Sequence, residues 1–154
     1  MRVEILDRTN RFRRRRRLAE LVRRLAAAWG VKGREVTIVL VDDPTIAAMN
    51  RRDRAVDGAT DVLSYPLHEP DDTGFPTLPH LGDVFVSLDT ARRQARERGV
   101  EPWHEVAELV AHGILHLLGH DHQVDADWAP FLAGQAEARA LAEGLDREAG
   151  GGVA

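Results

Sequence analysis

The chain contains no cysteine. Disulfides and thiolate zinc sites are therefore excluded, and any metal must be held by His, Asp or Glu. Lysine is nearly absent as well: Lys32 stands alone, and the other 20 basic residues are arginine. Aromatic residues make up only 5% of the sequence. No apolar run approaches the roughly 20 residues that cross a bilayer, which argues against a membrane protein. The opening Met1-Arg2-Val3-Glu4-Ile5-Leu6-Asp7 lacks the long apolar stretch of a secretory signal. The expectation is a cytoplasmic protein.

What is present suits one globular unit. A chain of 154 residues with 44% hydrophobic side chains can fill a single core. A domain over residues 1–148 and a disordered tail over 149–154 are expected, because the chain ends in a glycine run. The net charge of −4 hides an asymmetry. Residues 1–34 hold 12 of the 21 basic residues and 3 of the 25 acids, so this segment is +9 and the remainder −13. A basic end on an acidic chain can bind polyanions. Arg11 and the run Arg13 to Arg17 are the candidates. Basic residues at a helix start oppose the helix dipole, so local stability does not account for them. The arginine bias of a G+C-rich genome is the competing account.

Hydrophobic periodicity sets the element order. Strands are expected at Val3–Leu6, Val36–Val41, Asp61–Tyr65 and Asp83–Ser87. Helices are expected from Arg11 to Trp29, from Asp43 as N-cap to about Arg52, from Asp89 as cap to Arg98, from Pro102 to Gly119, and from Asp125 as cap to about Leu145. Residues 66–81 carry four of the seven prolines and read as a long loop of the kind that is often functional. The class is α/β (α+β): a small mixed β-sheet of about four strands packed with about five helices.

The chemistry concentrates in His112-Gly113-Ile114-Leu115-His116-Leu117-Leu118-Gly119-His120-Asp121-His122. At about 100° per residue, His112 and His116 share one face of a helix, opposite Val106, Val110, Ile114 and Leu117. Four-residue spacing lets two imidazoles converge on one metal. Gly119 can end the helix in a left-handed turn and bring His122 back as a third ligand. Three nitrogens leave one position for water, the open arrangement of a catalytic zinc. This is a zincin-like metal-binding helix. The spacing fits the metzincin protease pattern HExxHxxGxxH at every histidine and at the glycine. Gly113, however, occupies the place of the glutamate base, and both methionines lie upstream. Asp121 either orients an imidazole or helps to form the turn.

The run HGxLHLxGxDH resembles the signature of the YbeY family of bacterial endoribonucleases. Asn50-Arg51-Arg52-Asp53-Arg54, followed by Thr60-Asp61-Val62-Leu63-Ser64-Tyr65-Pro66, is similar to a second block of that family. Leu81-Gly82-Asp83-Val84-Phe85-Val86 is similar to a third. The likeness runs from about Val36 to His122. It implies that His112, His116 and His122 are the metal ligands and that Arg54 is a catalytic arginine. It also implies a metal-dependent, single-strand-specific endoribonuclease acting in 16S ribosomal RNA 3′-end processing and ribosome quality control. The implied cofactor is one Zn2+ per chain, or another divalent metal such as nickel. The implied partners are single-stranded ribosomal RNA and the small ribosomal subunit with its proteins, with no DNA and no membrane. Two positions depart from the family pattern: Asp53 replaces an aromatic, and His120 stands where tyrosine is common.

A divalent metal can activate water or polarise a phosphoryl oxygen. The planar fork of Arg54 suits the charge that develops on non-bridging phosphate oxygens. The motif contains no obvious base, so water and the RNA 2′-hydroxyl both remain open as nucleophile. Tyr65, Phe75 and Trp103 are candidates for base stacking, with core packing favoured for Tyr65 and Trp103. A zinc-dependent metallopeptidase and a non-catalytic ribosome-assembly factor with a structural metal are the alternatives.

Overall fold

The computed structural model describes residues 1–67, 79–122 and 128–150. Phe75, the cap expected at Asp125 and most of the loop expected over 66–81 lie outside the described residues. The strands are β1 (Arg2–Asp7), β2 (Glu35–Val41), β3 (Val62–Pro66) and β4 (His80–Ser87). The helices are α1 (Arg15–Ala28), α2 (Asp43–Arg54), α3 (Leu88–Arg98), α4 (Pro102–Leu117) and α5 (Trp128–Gly150). The sheet order is β1-β2-β4-β3, with the first three strands parallel and β3 antiparallel to β4 at the edge. The α/β class, the mixed sheet of four strands and the five helices agree with the sequence reading.

The centre of β2 is buried on both faces, as its β-branched run implies. Val36, Ile38 and Leu40 join the main core with α1, α4 and α5. Val39 and Val41 point the other way, into a smaller core with Ile46, Leu63, Met49, Tyr65 and Phe85 beneath α2. Thirteen of the sixteen residues of α4 are buried, which makes it the central helix. Asp146 of α5 ties three helices together. It accepts from Arg17 of α1 at 2.7 Å and from the Trp103 indole at 3.1 Å, and it lies 2.6 Å from His104 Nε2.

Several expected boundaries move because side chains bind the backbone. Helix α1 starts at Arg15, not Arg11, because the Asp7 carboxylate accepts from the Thr9 and Phe12 amides and holds the chain in a turn. The N-cap of α2 is Asp42, which accepts from the Thr45 amide, and Asp43 is its first helical residue. Ser87, not Asp89, caps α3 through the Thr90 amide. Asp89 is free to accept from the Asp43 amide and to pair with Arg11. Helix α5 runs to Gly150, past Leu145 and two residues into the expected tail.

Gly82 is required by geometry. Its φ is +145°, and a Cβ there would lie 2.2 Å from the Tyr65 carbonyl oxygen and 3.0 Å from Leu117 Cδ2. Gly82→Ala is expected to cost about 3 kcal/mol through backbone strain and overpacking. Urea unfolding measures it; an unchanged midpoint would mean that β3 can move aside.

Candidate metal centre

Helix α4 brings His112 and His116 onto one face, one turn apart. Gly119, at φ +99°, ends the helix, with the Gly119 amide on the His116 carbonyl and the His120 amide on that of Leu115. This left-handed turn returns the chain so that His122 joins the pair. His116 Nε2 lies 3.2 Å from His112 Nε2 and 3.1 Å from His122 Nε2. One nitrogen from each of the three rings lies within 4.8 Å of the others, so the trio could hold a metal ion. Nitrogens at about 3.3 Å spacing are what a tetrahedral ion with bonds of about 2.05 Å requires. The separations of 3.2 and 3.1 Å from His116 Nε2 fit such an ion.

The ring chemistry also fits. His112 Nδ1 lies 3.3 Å from Gln135 Oε1, an atom that can only accept. The Nδ1 therefore carries the proton, and Nε2 is left with a lone pair facing its neighbours. Burial pushes the His112 pKa down, and it pushes that of His116 down to about 4, where the two neighbouring imidazoles add to the effect. Both rings are neutral near pH 7, the state that binds metal.

Helix α5 closes the site. Phe131 is fully buried, with ring centroids 4.6, 4.7 and 4.9 Å from those of His112, His116 and His122. Trp128 stacks on His122 at 3.9 Å and 20°. The sequence reading missed Trp128, Phe131 and Gln135. Their spacing of three and four residues marked one helix face, but nothing local said what that face covers. The reading also missed Glu105 and Glu108, buried on α4 and held by Arg98 of α3 at 2.6 and 3.1 Å.

Two neighbours of the clustered histidines are placed by the structure, and for Asp121 it selects one of the two options the sequence offered. Asp121 accepts from the His122 amide at 2.7 Å, so it builds the turn, and among the described residues the side chain that bonds an imidazole of the trio from outside it is Gln135. His120 is exposed and is not one of the three clustered histidines.

Gly113 faces the sheet. A Cβ there would meet Val84 Cγ1 at 2.5 Å and Ser64 Oγ at 3.1 Å. A glutamate, as in the protease pattern, has no room. The Ser64 hydroxyl donates to the Gly113 carbonyl at 3.1 Å, and the Ser64 carbonyl accepts from Arg54 Nη2 at 3.0 Å. Arg54, at the end of α2, is thus linked through β3 to the residue after His112. Its guanidinium carbon lies 5.9 Å from the Tyr65 ring centroid. Asp53 anchors the same ring, accepting from the Tyr65 hydroxyl at 2.7 Å while paired with Arg52. Burial and this bond push the Tyr65 pKa up to about 12. Tyr65 is half-buried and Trp103 is buried, so both pack rather than stand free.

Comparison with known proteins places these features in context. Residues 4–140 match the family described as Endoribonuclease YbeY. A Thermus thermophilus protein named Endoribonuclease YbeY is 49% identical over 129 residues, covering 84% of this chain and 88% of its own. A Deinococcus radiodurans protein of the same name is 54% identical over 94 residues, covering 61% and 59%. A solution structure from Thermotoga maritima superposes with a TM-score of 0.68 at 27% identity, covering 95% of this chain and 92% of that one.

Two outcomes test the centre. His116→Ala is expected to abolish stoichiometric metal binding; elemental analysis showing a full equivalent retained would remove the site. Without metal, the unfolded chain takes up protons below about pH 6.5, whereas folded His116 resists until about 4. Stability of the metal-free protein therefore falls as pH drops through that window. Urea unfolding at both ends should show the loss, and His116→Gln should reduce it.

Proposed function

Because the chain belongs to the YbeY family of endoribonucleases, we propose that it is a metal-dependent, single-strand-specific endoribonuclease. In this reading it acts in 16S ribosomal RNA 3′-end processing and ribosome quality control, in the cytoplasm, with the small ribosomal subunit and its proteins as partners. The observation that carries it is the convergence of three imidazoles beside a glycine that leaves no room for a peptidase base.

His112, His116 and His122 are the residues that would hold the metal, and their all-nitrogen set suits zinc, with nickel as a substitute. When bound, the metal supplies Lewis acidity for activating the attacking oxygen, be it of water or the RNA 2′-hydroxyl, and for polarising the phosphoryl group. The chain's own residues do the rest. His112 is held in one tautomer by Gln135. Phe131 and Trp128 line the imidazoles with apolar surface and exclude water from their flank.

Arg54 is the residue for phosphate charge. One of its nitrogens is fixed on the Ser64 carbonyl, which orients the fork and leaves its other N–H groups for phosphate oxygens. Nucleic-acid substrates are favoured over peptides because a glutamate at 113 would drive into Val84. Among the described residues, no helix is long and apolar enough to cross a membrane.

The wild-type chain is expected to cleave single-stranded RNA, to lose that activity with chelator and regain it with zinc. Chelator-resistant cleavage would overturn metal dependence. Arg54→Ala is expected to keep the metal and lower RNA cleavage by about 100-fold, the scale of losing one charge-stabilising donor. Unchanged cleavage would reduce Arg54 to a surface residue. Gly113→Glu, which restores the peptidase motif, is expected to destabilise the fold by about 3 kcal/mol or more and to cleave no casein; casein cleavage would restore the peptidase reading.

A further inference from the structure

The arginines at the start of α1 play no part in the metal centre. Arg13, Arg14, Arg15 and Arg16 are exposed. Their neighbours are committed within the fold: Arg11 pairs with Asp89 at 2.9 Å and Arg17 with Asp146 at 2.7 Å. The four between them form no ion pair among the described residues. Helix α1 gains nothing from them. Its first turn has no acidic residue, and Arg14 at the N-cap makes no side-chain capping bond. Cations there oppose the helix dipole.

Beside them opens a cavity of about 290 Å³. Arg13, Arg14 and Arg92 supply its charge, Phe12 and Trp103 its apolar wall, and Glu101 a single acceptor. The Trp103 indole N–H is fixed on Asp146, so the ring is held in place. Trp103 and Val106 lie on the side of α4 away from His112. Pro102, also in the lining, is ten residues before His112, about 15 Å along the helix. The cavity is therefore separate from the three histidines.

We propose that this cavity binds one nucleotide of the RNA strand, away from the bond that is cut. The inference rests on the endoribonuclease reading above. The base lies against Phe12 and Pro102, backed by the buried Trp103, and the flanking phosphates meet Arg13, Arg14 and Arg92. The volume is close to the lower end for small-ligand sites, which suits a single nucleotide. Charge decides the occupant. The surrounding segment, residues 1–34, is +9 in a chain whose remainder is −13. Glu101 would repel a bare phosphate or an acidic peptide, but it can accept from an exocyclic amino group of a base. An apolar floor, a cationic rim and one acceptor together match a nucleotide.

The test uses the full chain and the triple variant Arg13→Ala/Arg14→Ala/Arg92→Ala. Binding of a long single-stranded RNA is followed by fluorescence anisotropy in chelator, on a His116→Ala background as well. Binding is thereby read without cleavage, and a failure of the nuclease reading is distinguished from a failure of this one. The triple variant is expected to bind the long RNA about ten-fold more weakly, with a salt slope smaller by about 2, for three lost phosphate contacts at ~0.7 each. Cleavage of an oligonucleotide too short to reach both sites should be unchanged in a triple variant that keeps His116. The Arg13→Lys/Arg14→Lys/Arg92→Lys protein, which retains the charge, should recover most of the affinity. Matched thermal midpoints establish that each variant folds; if the triple variant does not, Arg14→Glu alone is read in its place. Unchanged affinity for long RNA would overturn the proposal, as would an equal loss on the short substrate. Binding of polyglutamate as tight as that of RNA would reassign the surface to an acidic protein.

Discussion

Helix α4 approaches the sheet at Gly113 more closely than any side-chain carbon allows. The Val84 methyl stands where a Cβ would be, and the Ser64 hydroxyl donates to the Gly113 carbonyl. That contact fixes both the height and the rotation of α4. With Gly113 turned to β3 and β4, His112 and His116 face α5 instead. Gly82 makes the matching demand from the strand side, where Leu117 and the Tyr65 carbonyl occupy the space a Cβ would need. The three clustered histidines are therefore placed by two glycines, Gly113 beside His112 in the chain and Gly82 on β4.

Electrostatics follows from this placement. Three imidazoles converge in a half-buried site, and none has a carboxylate among its described hydrogen-bond partners. Desolvation and mutual repulsion keep His112 and His116 uncharged at neutral pH. In general, uncharged nitrogen donors leave a divalent ion with its full charge, whereas carboxylate donors neutralise part of it. The acids of α4, Glu105 and Glu108, are spent on Arg98. Basic side chains are treated in two ways: Arg17 and Arg98 stabilise the interior edges, while Arg13 to Arg16 are left to solvent.

Much of this was legible in the sequence. The alternating run of β2, the apolar helix from Pro102 and the glycine that reverses it are local patterns with a physical period, so the elements and the histidine trio could be read directly. Boundaries were less legible. Asp42, Ser87 and Asp7 compete for nearby amides, and which carboxylate or hydroxyl wins depends on the neighbouring segment: Asp89 fails to cap α3 because it already accepts from Asp43 of α2.

The sequence by itself determined the donors: three histidines at fixed offsets, no cysteine, and a glycine in place of a base. These are properties of residue type and helical period, and they need no partner. Only the tertiary structure decided the surroundings of those donors. Gln135, Phe131 and Trp128 reach the histidines across the α4–α5 packing, and Arg54 reaches Gly113 by way of Ser64. Side chains so far apart in the chain meet only when buried surfaces choose their partners, and no local period encodes that choice.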